Sequence, residues 1–494
     1  MSNPILKIHT QKSTIYLTGA FCMLFIIAAM LVPDLVKTKM GEWTASSMGV
    51  FGGFYLWFGL AAVILLGLIA FSPLGSKRLG PERAEYFWFS WIAMLYSTGM
   101  GAGLLLRAVQ EPVFYYTHPP RESVYSASEF ALQYTFFHWG LTPWAFYGLF
   151  GLIISYNLYV RQSSILGSAI LGESMKGNAW SIGIDSLITI CTLLGVVAAV
   201  GLGSRQLLDA LVYWTGIENP DSRNAIYLLL SVCLLATLSA YLGVNKGIRI
   251  LSNLNIGMAT SLLIFALIIG NEWSVGVSLF NSLGAYILEF IPMSLNLGSQ
   301  KVSESFLTDW TYFYWAFWLA WAPFTGVFIA RISKGRTIRQ FIVGVLLVPA
   351  LGTFLWFTVF GSNAFLLIET GQVVVGQFES IYSGIFNFFG AFPFSKWSNA
   401  IATLLVFTFL ITSVDSAIFV LSMFSDEGKT EPNKVFRLFW GVSIALFTIG
   451  LILVGKDHLL ESVSQMLILA ALPFSLMFCG MVIYFIYGLY PSKK

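Results

Sequence analysis

The sequence predicts an all-α, polytopic membrane protein of twelve transmembrane helices. Three observations carry that prediction: the composition, the recurrence of long apolar stretches, and the placement of the basic residues. Of 494 residues, 57% are hydrophobic and only 10% are charged, whereas a soluble globular domain carries about 25% charged residues. Too few charges remain to build a polar shell around so large a core, so lipid is the natural solvent for the surface. The 45 glycines, 43 phenylalanines and 16 tryptophans fit the same setting. Glycine lets membrane helices approach closely, and aromatic rings anchor at interfaces or line pockets. The four cysteines, Cys22, Cys191, Cys233 and Cys479, lie in apolar stretches without paired or histidine spacing, which indicates neither a disulfide framework nor a metal site. The net charge of +3 comes from residues scattered among loops, and no nucleic-acid partner is expected.

Taken in chain order, residues 1–16 are short and polar, and the apolar segment after them has no small-residue cleavage site. It reads as a first span and not a signal peptide. Stretches near the 20 residues needed to cross ~30 Å of hydrocarbon run 14–33 and 49–72. The third, 87–109, contains Ser97-Thr98-Gly99-Met100-Gly101-Ala102-Gly103. Three glycines in five residues weaken a helix, and unwound backbone at membrane depth survives only where it lines a cavity or is covered by protein. Transporters expose carbonyls and helix ends at such breaks; the other reading is a close helix-packing face. Spans 128–160, 180–208, 224–243 and 248–270 follow. Residues 273–292 are apolar but interrupted by Ser, Asn and Glu, and read as an amphipathic helix at the surface, as does 373–392. The remaining spans are 308–331, 338–361, 397–424, 434–455 and 462–488.

Orientation follows from lysine and arginine. Eighteen of the 27 lie in the even-numbered loops and the two termini, seven in the odd-numbered loops, and Arg107 and Arg205 lie inside spans. Both termini are therefore expected to be cytoplasmic, and the bias agrees with an even span count.

The chain has no GxxxxGK[ST] loop, no HExxH and only four histidines, so neither direct ATP coupling nor a metal-dependent membrane enzyme is indicated. Span four carries His138, Trp139, Trp144 and Tyr147, and span eight carries Trp310, Trp315, Phe317, Trp318 and Trp321. Trp139, Trp144 and Tyr147 are spaced by five and three, and Trp318 and Trp321 by three, which places each set on roughly one helical face. Interfacial belts also collect such residues, but these lie within their spans. An aromatic cage attracts a quaternary ammonium, which has no N–H donor, at roughly 0.5–2 kcal/mol per contact. Span ten carries Thr412 and Ser413, then Asp415 and Ser416. Adjacent hydroxyls in a helix are either back-bonders or hard oxygen ligands for Na+. Asp415, an acid at membrane depth, is expected either to serve function or to neutralise Arg107 or Arg205.

These elements together resemble the betaine/choline/carnitine transporter family over essentially the whole chain. The resemblance is carried by Phe137-His138-Trp139-Gly140 with Pro143-Trp144, by Trp310 through Arg339, by Gly99 through Gly103, by Lys246-Gly247-Ile248-Arg249, and by Thr412 through Ser416. It implies a LeuT-like fold in a bacterial inner membrane, assembled as a trimer. The layout is then an N-terminal tail with two peripheral helices over 1–86, a first inverted five-helix repeat over 87–272, the surface helix in 273–307, a second repeat over 308–488, and a short tail over 489–494. The resemblance places the substrate in an aromatic box of Trp139, Trp144, Tyr147 and Trp318, beside Gly99, Met100, Gly101, Ala102 and Gly103, with Trp321 on the cytoplasmic path. Phe317 stands where the family has a further tryptophan. It implies Na+ as coupling ion, and no other cofactor, held by backbone carbonyls near Thr98 and Met100 and by the Thr412 and Ser413 hydroxyls. Sodium-independent exchangers of the family place an arginine where this chain has Asn255, which favours sodium coupling. A second sodium site maps onto Thr192 and Phe324, with Val196 in place of a hydroxyl.

Two departures bear on specificity. Gly103 stands where choline carriers of the family have an aspartate, which fits a carboxylate-bearing substrate of the betaine type. Arg107 is foreign to the pattern. It either salt-bridges Glu111 or Asp415, or grips an anionic group of a different zwitterion, such as a carnitine-, sulfonium- or amino-acid-like compound. A channel is the competing reading from another class. The long tails of osmosensing relatives are not expected here.

Overall fold

The computed structural model describes residues 4–80, 83–172, 178–217, 223–243, 245–270, 272–455 and 458–489, with side chains described from residue 13 onward except at 223, 245–248 and 272–274. Lys176, Lys456, Lys493 and Lys494 of the charge pattern, residues 490–494 of the tail, and the side chains of Lys7, Lys12, Arg223, Lys246 and Ile248 lie outside the described residues.

The chain is helical, as its patterning predicts. Among the described residues the only strand-like pairing is the single bridge between Arg78 and Thr337. The helices are α1 (Pro4–Leu31), α2 (Pro33–Phe71), α3 (Trp88–Gly99), α4 (Gly103–Arg107), α5 (Gln110–Thr117), α6 (Ala127–Trp139), α7 (Leu141–Tyr159), α8 (Gly167–Ile170), α9 (Ala179–Thr215), α10 (Arg223–Leu242) and α11 (Asn245–Ile269). They continue as α12 (Glu272–Leu295), α13 (Glu304–Phe306), α14 (Phe313–Ile332), α15 (Ile338–Glu369), α16 (Gly384–Gly390), α17 (Ser395–Ser425), α18 (Lys434–Gly455) and α19 (Leu459–Tyr487). Local signals set several starts. Ser126 and Glu129 form a capping box ahead of α6, Thr337 and Gln340 do so for α15, and Asn178 caps α9; each satisfies backbone N–H groups that a helix start leaves open.

Among the described residues, eleven helices are long and apolar enough to cross a membrane, or twelve when α3 and the chain from Gly103 to Thr117 are taken as one bent span. The number agrees with the sequence reading, but the membership differs. The segment Val275–Leu295 passes on length and composition, although the sequence reads it as a surface helix. Span four is divided into α6 and α7 and does not pass. α6 is only 13 residues long, the Trp and Tyr residues with Pro143 and Asn157 lower the hydropathy of α7, and almost all of α7 is covered by protein. The stretch 373–392 is not one amphipathic helix: it is a 3-10 turn at Val375–Phe378 and the short α16, interrupted where Ser380 and Ser383 bond back to the local backbone.

Burial sorts the helices into an inner and an outer set. In α14 and the turns leading to it, 94% of the most apolar window is buried, against 22% in α1. α14 packs along α7 and against α9 and α19, and α9 packs along α17. α1, α10, α11 and α12 present exposed apolar side chains such as Leu24, Leu234, Ile268 and Leu288. An apolar surface of that extent matches hydrocarbon and not water. The basic loops meet one another: the Leu79 amide donates to the Arg336 carbonyl (2.8 Å) and the Ile338 amide to the Lys77 carbonyl (2.9 Å).

Candidate functional site

The helix ends after Gly99 and restarts at Gly103, and the axis turns by 62° across the break. Gly101 has φ +51°, a left-handed conformation that glycine adopts at little cost. A Cβ on Gly99 would lie 2.6 Å from the Trp144 ring, one on Gly101 3.0 Å from Ser413 Oγ, and one on Gly103 3.4 Å from the Trp139 ring. The glycines therefore serve both backbone freedom and the close approach of two indoles and a hydroxyl. They are not merely a packing face.

A narrow, partly open cavity lies beside this break. Its wall contains Gly99, Met100, Ala102, Gly103, Phe317, Trp318, Trp321 and Ser413, all of them expected from the sequence. The opposite contribution from α9, namely Ala199, Leu202, Gly203 and Gln206, together with Leu106 and Leu410, was not anticipated.

The four box rings form one connected set. Trp318 meets Trp139 edge to face (centroids 5.0 Å, 72°) and Tyr147 likewise (6.2 Å, 87°), and Tyr147 meets Trp144 (5.6 Å, 89°). Phe317 stacks on Trp321 (5.9 Å, 16°). Only Trp318, Phe317 and Trp321 line the cavity; Trp139, Trp144 and Tyr147 stand behind the glycine segment. Tyr147 Oη donates to the Gly99 carbonyl (3.4 Å). Both cavity indoles are committed to backbone: Trp318 Nε1 donates to the His138 carbonyl and Trp321 Nε1 to the Gly195 carbonyl, each at 2.9 Å.

Trp139 and Trp144 do not share one helical face, contrary to their spacing: they lie on separate helices, α6 and α7. The helix breaks between them at Gly140 (φ −95°, ψ −122°), where a Cβ would strike the Phe136 carbonyl and the Phe354 ring. The signal was present as Gly140 followed by Pro143, since proline fits the first turn of a new helix.

Behind the rings lies a buried polar network. Trp139 Nε1 donates to Glu111 Oε2 (2.9 Å), and the Tyr314 hydroxyl bonds to the same oxygen. His138 Nδ1 is paired with the Tyr115 hydroxyl (2.8 Å) and His138 Nε2 with Thr311 Oγ1 (3.0 Å). His138 is thus held in a hydrogen-bonded core position. Glu111, an acid at membrane depth, was the signal for this network.

Arg107 is 6% exposed and does not line the cavity. Its Nη1 donates to Gln110 Oε1 (2.7 Å), and its guanidinium lies 5.3 Å from the Trp310 ring centre. Glu111 is an electrostatic neighbour, but among the described residues no ion pair within 4.0 Å joins them. Asp415 neutralises neither arginine. It accepts a hydrogen bond from Ser239, and Arg205 pairs with Asp209 (3.7 Å).

The cation-site residues come together in part. Thr98, Met100, Thr412 and Ser413 are all buried, and Ser413 faces the glycine break. The Met100 carbonyl accepts from the Gly103 amide (3.2 Å). Thr412 Oγ1 bonds back to the Phe409 carbonyl (2.9 Å) and the Thr408 carbonyl (3.1 Å), and receives Asn255 Nδ2 (3.4 Å). Both readings of Thr412 are thus compatible with its position. Thr192 Oγ1 is buried without a hydrogen-bond partner among the described residues, and Phe324 packs on Trp321 (5.5 Å), on the two sides of the α9–α14 contact at Gly195. These oxygens suit a hard monovalent cation. Among the described residues no group of three or more His, Cys, Asp or Glu could hold a metal ion.

A family model described as BCCT, betaine/carnitine/choline family transporter, matches residues 13–494. The chain is 35% identical to the glycine betaine transporter OpuD of Bacillus subtilis over 95% of this chain and 93% of that one. It is 33% identical to glycine betaine transporter 1 of Vibrio parahaemolyticus over 97% and 93%. It is also 34% identical to the high-affinity choline transport protein of Escherichia coli over 97% of this chain and 71% of that one.

Proposed function

Because the chain belongs to the betaine/carnitine/choline family of transporters, we propose that it imports a small zwitterionic quaternary-ammonium compound of the betaine type by Na+-coupled secondary transport. The observation that carries the reading is the cavity where the Trp318, Phe317 and Trp321 rings face the unwound Gly99–Gly103 backbone. Aromatic faces attract a methylated ammonium that has no hydrogen to donate, and exposed backbone and helix ends suit a carboxylate. Trp139 and Tyr147, each packed on Trp318, and Trp144, packed on Tyr147, complete the cage. The relatives named for glycine betaine, together with Gly103 in place of an acid, favour a carboxylate-bearing substrate over choline.

In this reading the protein is multi-pass in a bacterial inner membrane with both termini cytoplasmic, its two five-helix repeats span 87–272 and 308–488, and three copies assemble. Na+ supplies the driving gradient. The carbonyls near Thr98 and Met100 and the hydroxyls of Thr412 and Ser413 would hold it, with Asn255 beside Thr412 leaving the position free of a fixed cation. Thr192 and Phe324 mark a second, weaker candidate.

Replacing both hydroxyls, Thr412→Ala with Ser413→Ala, should abolish Na+ stimulation of glycine betaine uptake, since a dehydrated cation would lose two of its oxygen ligands. The check is uptake by cells in sodium against potassium buffer. Equal uptake by the unmodified chain in the two buffers would remove the sodium coupling outright.

A further inference from the structure

Along α9, Ala199, Leu202, Gly203 and Gln206 line the cavity, spaced as positions i, i+3, i+4 and i+7 of one helical face. Three of these are apolar or lack a side chain. Gln206 is fully buried, and among the described residues neither its amide oxygen nor its amide nitrogen has a hydrogen-bond partner. A buried amide left that way is a cost to the fold unless something else satisfies it. The other side-chain N–H donors in the lining, Trp318 and Trp321, are already spent on backbone carbonyls. Gln206 is therefore the uncommitted N–H donor among the described lining side chains. The nearby cations are held elsewhere: Arg205 by Asp209, and Arg107 by Gln110 and Trp310.

We infer that Gln206 is a specificity-determining residue that donates its amide N–H to the carboxylate of the substrate while the aromatic faces hold the ammonium end. This rests on the transport reading above and adds to it the group that reads the anionic end. Hydrogen bonds from a neutral donor to an ionised acceptor are stronger than neutral ones, so the donor selects a carboxylate over an apolar end of the same size. A neutral amide also pays less desolvation than a buried lysine or arginine would, which suits a site that must release its ligand.

The test uses the purified full-length chain, titrated by tryptophan fluorescence with glycine betaine and with tetramethylammonium, which has the methylated cation but no acceptor. In Gln206→Leu the dissociation constant for glycine betaine should rise about ten-fold or more, with that for tetramethylammonium held within about two-fold. The fold should tolerate this change, because leucine is of similar size and removes two unpaired polar atoms. Gln206→Glu is the second variant: it should weaken glycine betaine further by charge repulsion and strengthen tetramethylammonium. An unchanged ratio of the two constants in both variants would overturn the assignment of Gln206. Failure of the unmodified chain to bind either compound is a distinct result, and overturns the transport reading on which the assignment stands.

Discussion

Trp318→Ala should abolish substrate binding. Trp318 is the ring at which the aromatic set converges: it touches Trp139, Tyr147 and Phe317 (5.0, 6.2 and 4.9 Å between centroids) and stacks on Tyr314 (5.8 Å, 16°). It is also the box tryptophan that faces the cavity. Its loss removes roughly 1–2 kcal/mol of cation–π attraction. Packing against the ligand is lost too, and the neighbouring rings lose the wall that orients them. The combined effect should be at least about a hundred-fold in affinity. Burial of the indole means that the variant also loses stability, by about 3–5 kcal/mol. Trp318→Phe separates the two effects, because it keeps a ring in place and gives up only the hydrogen bond to the His138 carbonyl and part of the π surface. Affinity should fall in the order Trp, Phe, Ala, while melting temperature recovers largely in the Phe variant. Wild-type affinity in Trp318→Ala would defeat the aromatic-box assignment.

Arg107→Ala should act on the fold and not on specificity. The guanidinium is buried between Gln110 and Trp310 and shares its surroundings with the fully buried Glu111. Removing it leaves that carboxylate with neutral donors alone, Trp139 Nε1 and the Tyr314 hydroxyl. The change also strips the buried Gln110 Oε1 of its donor, and leaving a buried polar group unsatisfied costs about 1–3 kcal/mol, so melting temperature and yield should drop. The surviving protein should keep its preference for glycine betaine over choline, because Arg107 is not part of the cavity wall. Normal stability with a collapsed preference would instead make Arg107 the anion receptor, and the role given to Gln206 would pass to it.

How far the sequence reveals this site depends on the kind of signal each residue leaves. The break at Gly99–Gly103 was legible because three glycines inside a span contradict helix propensity, and the structure adds what the Cβ atoms would strike. Fold class was legible because composition excludes a water-facing surface. The α9 wall was not, because Ala199, Leu202 and Gly203 look like any packing face, and a single glutamine in an apolar run does not announce which cavity it borders. The break at Gly140 was missed because an aromatic, apolar segment of 33 residues reads as one long span, although Gly140 and Pro143 marked the restart. For Asp415 the sequence leaves open a functional acid or a neutralising partner such as Arg107 or Arg205. Its partner is the Ser239 hydroxyl, and proximity between helices that are distant in sequence is not encoded in either helix alone.

The central claim is that this chain moves a betaine-type zwitterion across a membrane, and uptake into proteoliposomes tests it most directly. Purified chain reconstituted into vesicles, with an inward Na+ gradient and radiolabelled glycine betaine outside, should give saturable accumulation above the equilibrium level. That accumulation should vanish when the gradient is collapsed. Uptake that grows linearly with concentration, or that never exceeds the level in protein-free vesicles, would contradict the account.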